Sequence, residues 1–209
     1  TIDNHTNALE IDTSSVGGNL TLTAGANITD DGDVTVGGNF TATTDANSGA
    51  ISLGTMLVDG TVSLNTNGTG DATIVNDNGL EFTTSDVNGD LSATATAGNI
   101  IQSGNLEVAL TSSFTTSATN AMITLNTNTN NLAGGVTLST TGTTGHATID
   151  NHTNALEIDP SSVGGNLTLV SGHVNGITDD GDVTVGGNFT ATTNANSGAI
   201  RLGTMLVDG

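Results

Sequence analysis

Apolar side chains recur at every second residue in short bursts along this chain, and a glycine followed by a small polar residue introduces most of them. Between residues 16 and 44 the phrase occurs three times: Gly18-Asn19-Leu20-Thr21-Leu22, Gly32-Asp33-Val34-Thr35-Val36 and Gly38-Asn39-Phe40-Thr41-Ala42. Side chains two apart lie on one face of an extended strand, with the intervening hydroxyl on the other. The Gly-Asn or Gly-Asp lead supplies the backbone freedom for a tight corner. A corner followed by a very short strand, repeated, predicts a β-solenoid.

The phrase continues through Gly49-Ala50-Ile51-Ser52-Leu53, Gly60-Thr61-Val62-Ser63-Leu64, Gly89-Asp90-Leu91-Ser92-Ala93 and Gly104-Asn105-Leu106-Glu107-Val108, most often about 11 residues apart. Two steps give a coil of about 21–24 residues, with Leu20, Leu22, Val34, Val36, Phe40, Ile51, Leu53, Val62 and Leu64 pointing inward. No stretch keeps a 3.6-residue apolar period, so the fold class is all-β. A β-sandwich array has similar spacing. The solenoid is favoured because large core aromatics and unit boundaries are missing, and because a two-residue insertion at Val174 and Gly176 is tolerated.

A longer repeat overlies the short one. Residues 1–12, TIDNHTNALEID, return unchanged at 148–159, and the match runs on to Gly60 and Gly209. Along it Ser52 becomes Arg201 and Asp45 becomes Asn194. The chain therefore divides into one complete unit, 1–147, and the start of a near-identical one, 148–209, as a continuous solenoid without a linker.

Composition narrows the function. Only 2% of residues are aromatic, which suits a narrow bore filled by Val, Leu, Ile and Ala better than a compact enzyme core. Against 21 acidic residues stands a single basic one, Arg201, for a net charge of −20. Nucleic acid is excluded as a partner, since neutralising phosphates needs Lys and Arg. There is no cysteine, no signal peptide and no apolar run near the 18 residues of a membrane span, so membrane insertion is not expected. Both termini fall inside the repeating pattern and neither resembles a polar cap, so like chains are expected to associate end to end, as neighbouring units do.

Phrases such as GGNLTLTAGANITDDGDVTVGGNFTAT resemble the repeats of filamentous-haemagglutinin-type bacterial surface adhesins, giant tandem-repeat exoproteins. The resemblance implies a right-handed parallel β-helix, secretion to the cell surface, and a role as the shaft of a fibre or adhesin.

Candidate chemistry is sparse. Asp30, Asp31 and Asp33 cluster around Gly32, the same corner returns as Asp179, Asp180 and Asp182, and Asp86, Asn88 and Asp90 form a second such corner. Clustered carboxylates at a turn suit calcium, which takes six to eight oxygens. Neither corner completes an EF-hand, and Asp, Asn and Gly also make good turns unaided. His5, His146, His152 and His173 lack metal-ligand spacing and read as solvated loop residues. No catalytic constellation stands out, and near-identical units argue against a single active site. Thr-x-Thr pairs such as Thr21/Thr23 suggest an ice-binding face, but the uneven spacing of strands is expected to break the array. The leading expectation is a non-enzymatic shaft segment of an extracellular adhesin or fibre. The alternative is a secreted module binding carbohydrate, a host or cell-surface ligand, or calcium, with no other cofactor implied.

Overall fold

The computed structural model describes residues 1–45, 48–127 and 129–209. These form 28 strands in two sheets, every pairing parallel, stacked as a solenoid of about ten turns. Among the described residues no helix is long and apolar enough to cross a membrane. Alternation is the local cause: Leu20–Ala24, Phe40–Thr44, Thr61–Asn65, Ala72–Asn76 and Val136–Thr140 all bury every second side chain. All nine residues expected to face inward do so, none more than 5% exposed. One apolar cluster runs unbroken from Leu9 to Val185, with Phe40, Phe82 and Phe114 as its largest fully buried members. A single core of this length stabilises each coil through the coils above and below it.

Coils average about 21 residues. The interval between stacked residues nevertheless runs from 19 (Leu9 to Ile28) to 24 (Ser112 to Val136). The corners absorb the difference, and the strands keep register. Glycine makes this possible, though not as the sequence suggests. Of the glycines that open the phrases, only Gly181, leading Asp182-Val183-Thr184-Val185, has a positive φ, 149°. Instead, a Cβ on Gly70 would lie 2.2 Å from the carbonyl oxygen of Gly49, one coil below. Corners stack too closely for a side chain. The left-handed positions fall elsewhere, at Gly68 and Gly142 and at non-glycine residues such as His5, Asn120 and His152.

Each coil has two unlike halves. One half is a single strand, usually of five residues, and the other is a pair of three-residue strands separated by a bend. In the first three coils the single strand lies in the first sheet (Ile2–Asp3, Leu20–Ala24, Phe40–Thr44). The pair lies in the second, as Leu9–Ile11 with Ser14–Val16, then Ile28–Asp30 with Val34–Val36. Then the halves exchange. Single strands Ala72–Asn76, Leu91–Ala95, Ser112–Thr116 and Val136–Thr140 occupy the second sheet. The pairs, beginning with Leu80–Phe82 and Ser85–Val87, occupy the first. At Ala147–Asp150 the arrangement reverts.

Two single strands in succession produce each exchange: Thr61–Asn65 then Ala72–Asn76, and Val136–Thr140 then Ala147–Asp150. Where a single strand covers a pair, ladder hydrogen bonds run out, and a buried asparagine replaces them. The Asn76 amide donates to the Val58 carbonyl (3.2 Å) and to that of Gly79 (2.7 Å), and its Oδ1 accepts the Val58 N–H (2.8 Å). Where a pair covers a single strand, a buried serine serves. Ser85 Oγ accepts the Leu64 N–H (3.1 Å) and Ser161 Oγ accepts that of Leu138 (2.9 Å). Left unpaired, each buried backbone group would destabilise the fold by about 1–3 kcal/mol.

Candidate functional surface

The two halves of a coil differ in chemistry as well as in length. All four glutamates of the chain, Glu10, Glu81, Glu107 and Glu157, lie on strands of the paired kind, at alternate positions flanked by buried residues. The single strands carry hydroxyls at those positions instead: Thr21 and Thr23, Thr41 and Thr43, Ser92 and Thr94, Ser113 and Thr115. Exchange of the halves therefore moves the glutamates from one sheet to the other.

Thr29, Ser52, Thr73, Ser92, Ser113 and Thr137 stand in register on six consecutive coils. The expectation that uneven spacing would break such a column is overturned, because the variation is confined to corners. The neighbouring column is interrupted, running Val75, Thr94, Thr115, Ser139, Ser162, Thr184 and then Leu206.

The acidic corners are tied to the backbone of the following coil. One Asp30 carboxylate oxygen accepts the Gly54 N–H at 2.8 Å, and the other accepts the Thr55 N–H at 2.9 Å and the Thr55 hydroxyl at 3.0 Å. Asp31 and Asp33 are exposed on the same corner. In the second copy Asp179 accepts the Gly203 N–H at 2.6 Å, while its Oδ2 is buried without a partner; Asp180 and Asp182 are exposed. The other corner is dispersed. Asp86 is in register with Glu107 on an outer face, the Asn88 amide donates to the Thr66 carbonyl (2.7 Å), and Asp90 accepts the N–H and hydroxyl of Thr111 (2.8 and 2.7 Å). Asp71 Oδ1 in turn accepts the Asp90 N–H, so aspartates continue the coil-to-coil ladder along this edge. Among the described residues no three His, Asp or Glu side chains are grouped as metal ligands.

The histidines do more than face solvent. His146 Nδ1 accepts the Asn166 N–H (2.8 Å) and His173 Nδ1 that of Asn175 (3.1 Å). His5 and His152 hold equivalent left-handed turns, each donating its N–H to an aspartate two residues earlier. That backbone hydrogen bond holds the Asp3 carboxyl below its ordinary value.

Arg201 lies in register with Thr178, which is in register with Glu157, and the three help line a shallow groove. Among the described residues Arg201 forms no ion pair within 4 Å.

A family described as repeats of unknown function (DUF5649) matches residues 1–65, 69–139 and 144–205. Neither a curated protein nor a solved structure matches the chain. The family boundaries coincide with the exchanges of the two halves. Residues 69–139 hold four single strands alternating with three pairs, which is seven half-turns. An odd number of half-turns starts each successive repeat on the opposite sheet: Ala72–Asn76 is in the second and Ala147–Asp150 in the first. Two repeats, or seven coils, restore the starting orientation, and the sequence returns at the same interval, after 147 residues. The chain belongs to this family of repeats.

Proposed function

We propose that the chain is a rigid, non-enzymatic shaft segment of a long extracellular adhesin or surface fibre. The observation that carries this reading is the repeat of seven half-turns, which passes from one unit to the next without a linker or a break in the core. Two near-identical copies on the same side, seven coils apart, extend one continuous core. A shaft gains length: seven coils at about 4.8 Å advance the axis by about 34 Å. Charge supports the same use, since a net −20 keeps long rods apart laterally. The carboxylates of Asp30, Asp90 and Asp179 serve coil-to-coil hydrogen bonds, which favours the shaft over a calcium-binding module.

The test is labelling of intact cells that express the parent protein, with antibodies raised against the 209-residue solenoid. Surface filaments that label along their length, and lose the label on mild protease treatment, support the reading. Label found only after permeabilisation overturns it.

A further inference from the structure

The second sheet carries two columns of hydroxyls on its outer face. One runs through six successive coils as Thr29, Ser52, Thr73, Ser92, Ser113 and Thr137. The other runs through five, between Val75 and Leu206, as Thr94, Thr115, Ser139, Ser162 and Thr184. They stand side by side in three coils, as Ser92 with Thr94, Ser113 with Thr115 and Thr137 with Ser139. Parallel pairing repeats the hydroxyls about 4.8 Å apart along the axis, and two residues of strand set them about 6.6–6.8 Å apart across it. Each lies between buried neighbours, Leu91, Ala93 and Ala95 on one strand and Ser112, Phe114 and Thr116 on the next, which hold it in place.

Two further observations mark this array. Buried hydroxyls at the ends of single strands are taken up by the protein: Thr44, Thr116 and Thr140 each donate to a backbone carbonyl five residues on. Among the described residues the outward hydroxyls of the two columns make no such bond, and they are left for what lies outside. Neither column holds a charged residue between its first hydroxyl and its last, in a chain with 21 acids. Asp71 and Asp90 stand at the adjoining corner, where each accepts the backbone N–H of the following coil.

We propose that this face binds the surface of ice. The array is neutral and regular in two directions, and both of its spacings are close to the oxygen repeats of the prism face of hexagonal ice. Every lattice oxygen there both donates and accepts, and the hydroxyl is a side-chain group that does both. The side chains are held by the stacked strands before binding, so little ordering opposes the contact. A glycan is the other hydroxyl-rich occupant such a face could meet. Sugar faces stack on exposed aromatic rings, however, and this chain has no Trp or Tyr, while Phe40, Phe82 and Phe114 are fully buried.

The inference is independent of the shaft reading. Single ice crystals grown slowly in a solution of the 209-residue chain provide the test, with the ice and the liquid assayed for protein. The parent is expected to shape the crystals into facets and to be taken up into the ice. Thr124→Tyr, on the outer face of the first sheet, should behave as the parent does. Ser113→Tyr and Thr115→Tyr, at the centre of the array, should lose both effects while keeping the circular dichroism of the parent. Ser92→Thr combined with Ser113→Thr, which keeps every hydroxyl, should retain them. A parent that leaves the crystals rounded and stays in the liquid, array variants that act as the parent does, or retention on crystalline cellulose without uptake into ice overturns the proposal; the cell-surface test of the shaft is unaffected by any of these results.

Discussion

The side-chain amide of Asn76 engages both the N–H and the C=O of Val58, one coil below, as a neighbouring strand would. Asn151 holds Leu132 in the same way at the next exchange, accepting its N–H at 2.8 Å and donating to its carbonyl at 3.0 Å. Both asparagines are fully buried. A planar amide with one donor and one acceptor side by side is the side-chain group that can imitate a backbone peptide. It appears where the strand ladder has nothing else to offer.

Replacing Asn76 with leucine keeps the volume but strands the two groups of Val58 and the carbonyl of Gly79. We expect a loss of about 2–4 kcal/mol, and the same direction for Asn151→Leu. Asn65, half-exposed at the end of a single strand, is the control: its replacement by alanine stays within about 0.5 kcal/mol. Hydrogen exchange should report faster opening around residue 58 before any global change, because repeat arrays open locally.

Phe40 is fully buried within the continuous core. Phe40→Ala should therefore destabilise by about 3–5 kcal/mol. The urea midpoint of the variant, set against that of the parent chain, checks the loss.

Ser112 interrupts an apolar column, stacked between Leu91 and Val136, with its hydroxyl buried and unpartnered. Ser112→Ala removes an unsatisfied polar group at little cost in packing. A gain of about 1 kcal/mol is expected in chemical denaturation.

The corner at residues 30–33 gives a further contrast. Asp30→Ala removes three charge-assisted acceptor contacts to Gly54 and Thr55 and should lower stability by about 1.5–3 kcal/mol. Because that carboxylate already serves the coil above, millimolar calcium should leave the Tm of the parent chain unchanged. A rise in Tm with calcium, abolished by Asp30→Asn, would instead assign the corner to a cation.

The strands and the core were legible in the sequence because burial follows alternation directly: Leu20, Leu22, Val34 and Val36 are inward in both. The coil length was legible for the same reason. The exchange of halves was not. Gly-polar-apolar-polar-apolar describes Leu91–Ala95 and Leu106–Val108 equally well, so single and paired strands look alike until they stack. Nor do corner glycines reveal whether they are needed for φ or for close approach; that depends on the coil beneath. The hydroxyl columns are not legible in the sequence, because uneven spacing along the chain becomes even spacing between stacked strands.

Two repeats make seven coils and return to the same side. The chain has no cysteine, so single spin labels can be placed at Thr21 and Thr168, outward positions of strands seven steps apart in the first sheet. Pulsed dipolar spectroscopy on that pair measures the advance of the axis. A narrow distribution centred at about 34 Å is predicted; a broad distribution, or a distance well below that, would contradict the stacked solenoid and its seven-coil return.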